Sequence, residues 1–437
     1  MTRQPKFWTA LAIFTVCASA QTPPGTLTTL YVFTGLPDGA NPSSGLISGP
    51  SGVIYGTTVN GGLLGSEPWQ QSGCGTVFSL TPPTVSGDAW TENILYTFTG
   101  GSDGCGPSGV AIGRGGVLYG TTSNGVQGTA FSLTPPAIAG GAWTEETLHT
   151  FAGCPTDAGA PLFGLAVGAG GVLYGNGFYG GDFSCVPAAG GAGAGAVFAL
   201  TPPASPGGAW IESMVFSIGA LNDGPSAGLV VGSGGVLYGI SDNGDGGGGA
   251  VFTLAPPTSP GGAWTETVLS YLSASNSRND GSTPITPVVL APGGILYGTT
   301  SGGGVDGGGE VFSLTPSASA GGSWTYTVLR DFSSTKGNPI GGSPEQLTLT
   351  RAGELYTACA EGGTARAGTV LRLTPPAAPG DFWTQTVVHT FVSGDGISPN
   401  GALMIRSDGL LYGTTYGRTP GYEGGEGRFG TIFSLQP

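Results

Sequence analysis

Apolar positions along this chain fall in short alternating runs separated by glycine, proline and small polar residues, and the runs return in the same order seven times. Alternation with period two predicts half-buried β-strands, and the Gly/Pro punctuation predicts tight turns between them. One run carries Leu-Tyr-Gly or a close variant, centred on Tyr55, Tyr119, Tyr174, Tyr238, Tyr297, Tyr356 and Tyr412. A second follows after a Gly-rich stretch, from Val77-Phe78-Ser79-Leu80 in the first copy to Ile432-Phe433-Ser434-Leu435 in the last. A third begins at a tryptophan (Trp90, Trp143, Trp210, Trp264, Trp324, Trp383) and alternates onward, as from Trp143 to Phe151. A shorter fourth run precedes each Leu-Tyr unit, as in Gly109 to Ile112 and Gly228 to Val231.

Successive tyrosines stand 55 to 64 residues apart, the range of propeller blades rather than of smaller solenoid repeats. Four short strands joined by tight turns make one blade. We call them A (Gly-Leu-x-Val), B (Leu-Tyr-Gly-Thr-Thr), C (Val-Phe-Ser-Leu) and D (the Trp-led run). A, B and C occur seven times, but only six D runs follow a tryptophan. The chain ends at Pro437, directly after the seventh C, and the run from Thr26 to Phe33 matches Asn93 to Phe98 of an ordinary D strand. The expectation is an all-β, seven-bladed β-propeller of four-stranded blades, closed by the N-terminal strand completing the last blade. Closure removes the open sheet edges that a linear stack would expose.

Composition adds a compartment. Arg3 and Lys6, the apolar run from Phe7 to Val16, and the small residues Ala18-Ser19-Ala20 read as a secretory signal peptide. Residues 1–20 are therefore expected to be removed, leaving 21–437 as a single propeller domain outside the cytoplasm. No later segment is long and apolar enough to anchor the mature chain in a membrane. Glycine reaches 87 residues, which a fold of many short strands uses at turns. Only 9% of residues are charged and the net charge is −14, so nucleic acid and anionic lipid are excluded as partners. The expected state is a monomer.

The unit Gly-Gly-Val-Leu-Tyr-Gly-Thr-Thr (115–122), followed by Phe-Ser-Leu-Thr-Pro-Pro (131–136), resembles the GloVer-type tandem repeat. That choice-of-anchor family comprises secreted or surface-displayed bacterial proteins, and the resemblance runs over residues 26–437. It implies a secreted repeat protein but no activity. Members often end in a sorting anchor, whereas this chain stops at Gln436-Pro437, which favours release. Tyr356-Thr-Ala-Cys359 and Tyr174-Gly-Asn-Gly177 depart from the repeated Tyr-Gly-Thr-Thr.

Chemistry-bearing residues are sparse. The D–A and B–C loops vary most and should emerge on one face, which makes that face the expected working surface. The D–A loops repeat an aspartate: Asp38, Asp103, Asp157, Asp223, Asp280 and Asp395, five of them followed by glycine. Such a ring could bind cations or sugar hydroxyls. The plainer role is an Asp-Gly turn in which the carboxylate takes nearby backbone N–H groups. No loop has the spacing of a calcium site, and no metal or other cofactor is expected. His149 and His389, the two histidines, fall where Tyr96 stands in another D strand, as outer-strand substitutions.

Glu345, just before strand A of blade 6, is the best lone acid candidate near the channel. Trp69, Phe183, Tyr416 and Tyr422 in the B–C loops are candidate contact aromatics. Cysteines in analogous loops suggest disulfides Cys154–Cys185 and Cys74–Cys105, with Cys359 free. Two functions fit. One is a non-catalytic binding or scaffold module for an extracellular glycan or protein. The other is a carbohydrate-active hydrolase or lyase using loop carboxylates such as Glu345, Glu423 and Glu426.

Overall fold

The computed structural model describes residues 25–437 except 65–71, 125–126, 153–156, 181–194, 219–223, 242–246, 274–280, 305–306, 334–338, 379–382, 418–428 and six single loop positions. The residues expected to form the signal peptide lie outside the described part. Among the described residues no helix is long and apolar enough to cross a membrane.

Blade 1 shows the pattern. Its A strand is Ile47–Ser48, B is Ile54–Thr58, C is Thr76–Thr81 and D is Thr91–Thr97, paired antiparallel in that order. The tryptophan that heralds each D run stands just before the strand rather than in it. Five further blades repeat this order along the chain. Blade 7 takes A from Pro399–Ile405, B from Leu411–Thr415 and C from Thr431–Leu435, and its D strand is Leu27–Val32 from the other end of the chain. The ring therefore closes through a non-covalent pairing of the two chain ends.

A bulge shows that this closing strand is equivalent to the other six. In blade 1 the C–D register runs Phe78↔Ile94 and then Val77↔Tyr96, leaving Leu95 as the extra residue. Blade 2 leaves out Leu148 in the same place, between Phe131↔Thr147 and Ala130↔His149. The N-terminal strand does likewise: Thr29 opposes Phe433, Tyr31 opposes Ile432, and Leu30 is the extra residue. One inserted residue flips the faces of everything beyond it. Beyond the bulge the strand thus turns Tyr96 and Phe98, or their counterparts, into the crevice toward the next blade.

Those crevices hold the core. Phe33 packs on Phe78 at 5.3 Å between ring centroids, Phe98 on Phe131 at 5.0 Å, Phe151 on Phe198 at 4.7 Å and Phe391 on Phe433 at 5.3 Å. In each pair the D strand of one blade meets the C strand of the next. The B-strand tyrosine packs against the tryptophan of the following blade, as in Tyr55–Trp143, Tyr119–Trp210, Tyr174–Trp264 and Tyr297–Trp383, all near 5.9 Å. The link between blades 7 and 1 is Tyr412–Trp90. The repeated aromatics are the mortar between blades, each buried ring contributing about 1.5–3 kcal/mol by removal from water.

Candidate functional site

The D–A and B–C loops meet on one face. Ala158–Gly159 of a D–A loop pairs with Tyr179–Gly180 of a B–C loop, and Gly281–Ser282 pairs with Gly302–Gly303. A single bridge does the same at Ala40↔Asn60, and Pro225 of another D–A loop bridges Ser241 at the end of its strand B. Cys74 and Cys105 are joined by a disulfide with Cα atoms 4.5 Å apart, linking the B–C loop of blade 1 to the D–A loop leading into blade 2. Cys154 and Cys185 lie outside the described residues. Cys359 is free and buried, and burial, with the Glu345 carboxylate adding to it, pushes its thiol up to about 12.

The D–A aspartates take hydrogen bonds from their own loop and from the end of the outer strand. Asp103 Oδ2 accepts from the Tyr96 hydroxyl at 3.2 Å and the Thr99 N–H at 2.7 Å, while Oδ1 accepts from the Thr99 hydroxyl at 2.7 Å and the Gly101 N–H at 3.1 Å. Asp38 repeats this with the Tyr31 hydroxyl and the Thr34 N–H and hydroxyl. Burial raises its carboxyl from the usual range, and the Thr34 bonds oppose that shift. Asp157 accepts the Ala152 N–H at 2.7 Å beside His149 Nε2 at 3.3 Å. Asp395 accepts the Val392 N–H at 3.1 Å beside His389 Nε2 at 3.0 Å. The four described aspartates thus clamp the end of strand D; Asp223 and Asp280 lie outside the described residues.

The glycine after the aspartate is there because the next side chain needs its space. A Cβ on Gly39 would lie 2.7 Å from Thr58 Cγ2, and one on Gly104, at φ +82°, 1.9 Å from Thr122 Oγ1. Blade 3 reverses the pair. Ala158 follows its aspartate, and the strand-B residue is Gly177, where a Cβ would lie 2.8 Å from the Gly159 nitrogen. The departure Tyr174-Gly-Asn-Gly177 has a second use, since the Asn176 side-chain amide donates to the Ala227 carbonyl of blade 4 at 2.7 Å.

On the axis, where the A strands begin, lies a cavity of about 530 Å³. Register fixes its wall. Each A strand pairs one residue with the strand-B tyrosine, from Ile47↔Tyr55 round to Met404↔Tyr412. Three positions earlier stand Ser44, Ser108, Phe163, Ala227, Thr286, Glu345 and Gly401, and all seven line the cavity. The next position gives a second ring, glycine in blades 1 to 4, then Pro287, Gln346 and Ala402. Blade 6 departs at both levels, with a carboxylate and a primary amide.

Glu345 is the only charged residue in this wall among the described residues. Its backbone N–H donates to the Ala358 carbonyl and its own carbonyl accepts the Thr357 hydroxyl, both at 2.8 Å, so the main chain is held on strand B. The Gly401 N–H donates to its carboxylate, yet burial prevails and pushes that carboxyl up to about 7. The Ser44, Ser108 and Thr286 hydroxyls bond to Thr57, Thr121 and Thr299 at 3.0, 2.7 and 2.6 Å. The wall is two-sided. Blades 3 and 5 present Leu162, Phe163, Ile285 and Pro287, and blades 6, 7, 1 and 2 present Glu345, Gln346, Asn400 and serines.

Of the candidate aromatics, Tyr416 is half-buried, its N–H donating to Ser398 and its carbonyl accepting from the Asn41 side chain. Trp69, Phe183 and Tyr422 lie outside the described residues, as do Glu423 and Glu426. The place of Gln346 in the cavity wall escaped sequence reasoning, although a two-residue departure directly before Leu347 was its visible signal.

No curated protein matches the chain. Among solved structures it is similar to the AfRom2 CNH domain, at 12% identity and TM-score 0.50 over 94% of this chain and 99% of that one. A protein from Lactobacillus plantarum matches at 15% identity and TM-score 0.48 over 78% of this chain and 84% of that one. A putative oxidoreductase (glucose dehydrogenase) from Thermus thermophilus matches at 15% and TM-score 0.41 over 94% and 99%. At such identities the likeness is one of fold. Residues 263–437, the outer strand of blade 4 and the three blades after it, match the Gloeobacter/Verrucomicrobia repeat, and the earlier blades carry the same repeated unit.

Proposed function

We propose that this protein is a secreted, non-catalytic binding or scaffold propeller that recognises an extracellular glycan or protein through the face carrying its D–A and B–C loops. Residues 1–20 serve as its signal peptide and 21–437 as one domain. The observation that carries this reading is the assignment of the polar groups on that face. The four described D–A aspartates and both histidines are engaged in holding outer strands, and among the described residues the axial cavity has a single carboxylate in its wall. Glycosidase chemistry calls for two carboxyl groups at a set separation. A recessed, half-apolar opening ringed by variable loops suits recognition.

The test is a glycan array together with a polysaccharide-degradation assay on the mature protein. Binding without release of reducing ends is expected. Turnover that Glu345→Gln removes would replace this reading with that of a carbohydrate-active hydrolase or lyase.

A further inference from the structure

The axial cavity carries a more specific statement, which rests on the proposal that this face is the working surface. Repeats keep a neutral residue at the first wall position in six blades, and blade 6 alone places a carboxylate there. A carboxylate partly withdrawn from water, as the half-buried Glu345 is, gains from a counter-charge or further donors. Glu345 has one backbone donor from Gly401, and no lysine, arginine or histidine lines the cavity among the described residues. The missing positive charge would therefore come from outside the chain. Across the ring from Glu345 the wall turns apolar at Leu162 and Phe163 of blade 3, and beside it at Ile285 of blade 5, and Leu162 and Ile285 keep 38% and 42% of their surface exposed.

We propose that the channel mouth binds a small organic cation, a primary ammonium on a partly apolar body, with Glu345 as its counter-ion. The ammonium has three donors. Glu345 takes one in a charge-assisted bond, which is about twice as strong as a neutral one, and Gln346, the next residue of the same wall, offers a side-chain oxygen for another. The body lies against Phe163 and Ile285. A cavity of about 530 Å³ is in the range of small-molecule sites and holds a ligand of monosaccharide or aryl-amine size.

The experiment is calorimetric titration of the mature protein with two matched pairs, benzylamine against benzyl alcohol and glucosamine against glucose. Each pair differs in the ammonium, and the two pairs separate an aryl amine from an amino sugar as its source. At least one amine should bind at least about tenfold more tightly than its neutral partner, about 1.4 kcal/mol. Glu345→Gln should erase that ratio, and Phe163→Ala should weaken benzylamine while keeping it. Equal affinity within both pairs, no saturable heat from either amine, or an undiminished ratio in a folded Glu345→Gln protein would overturn the proposal. Amine selectivity with no glycan or protein recognised on the array would leave this site standing and remove the broader reading. Array binding untouched by Glu345→Gln, without amine selectivity, would do the reverse.

Discussion

The Asp395 carboxylate sits 3.0 Å from Nε2 of His389, and so holds the outer strand of blade 6 in the way that Asp103 holds blade 1 through the Tyr96 hydroxyl. A phenol and an imidazole serve one purpose because each places a donor at the same distance beyond the bulge. Asp103 is 6% exposed and accepts from two side-chain hydroxyls and two backbone N–H groups. Removing it would leave those donors unmatched, at about 1–3 kcal/mol. Asp103→Ala should lose that much in urea unfolding, Asp103→Asn less, and His389→Tyr should keep the Asp395 bond and lose only the one between Nδ1 and the Gly25 carbonyl, a smaller cost.

Much of the fold was legible because β-structure writes its period into the sequence. The seven tyrosines, and the match of Thr26–Phe33 to Asn93–Phe98, determined the blade count and the closure. The bulge was not legible. Leu95 looks like one more residue of an alternating run, and its exclusion from the ladder depends on the partner strand. The side-chain partner of each aspartate was hidden for a similar reason. Tyr96 and Asp103 are seven residues apart with a turn between them, and the sequence gives no direction to either side chain. Glu345 was legible as an acid near the channel, but its level in the cavity wall, next to Gln346, follows from the register of its strand, Thr348 opposite Tyr356.

The Cys74–Cys105 bond spans 31 residues and ties a B–C loop to the neighbouring D–A loop. Closing a loop of that size restricts the unfolded chain by about 3–4 kcal/mol in the entropic account. Cys74→Ser with Cys105→Ser should lower stability by an amount of that order under otherwise identical conditions. Neither cysteine lines the axial cavity, so the ligand selectivity of the channel should persist in the double variant. Unfolding curves and the calorimetric ratio together check both halves.

Closure through the N-terminal strand rests on few large side chains. Phe33 is 1% exposed, packs on Phe78 at 5.3 Å, and sits beside Tyr31 at 5.2 Å. Phe33→Ala should cost about 3–5 kcal/mol, as truncation of a buried aromatic does. The equivalent change at Phe391, which packs on Phe433 within the run of the chain, should cost a similar amount. The two differ in what opens. Hydrogen exchange should show Leu27–Val32 and Thr431–Leu435 losing protection first in Phe33→Ala, because the strand freed there is held by no covalent neighbour in its own blade.

Acidity should stabilise this protein through the neutral range. Burial, with the Asp38 carboxylate nearby, pushes the Glu92 carboxyl up to about 7, and burial pushes that of Glu345 to about the same value. Glu145, Glu212 and Glu266, at positions of their outer strands matching Glu92, are raised as well, chiefly by burial. In the unfolded chain a glutamate titrates near about 4.3. Between that value and about 7 the folded protein therefore binds more protons than the unfolded one, so stability falls as pH rises through this window. Glu92 is only partly buried and its share is reduced by solvent screening. The melting temperature should be higher at pH 5 than at pH 8, and Glu92→Gln and Glu345→Gln should each flatten that dependence. A melting temperature rising from pH 5 to pH 8 would mean that these carboxylates gain partners on ionising beyond those seen around them in the folded protein.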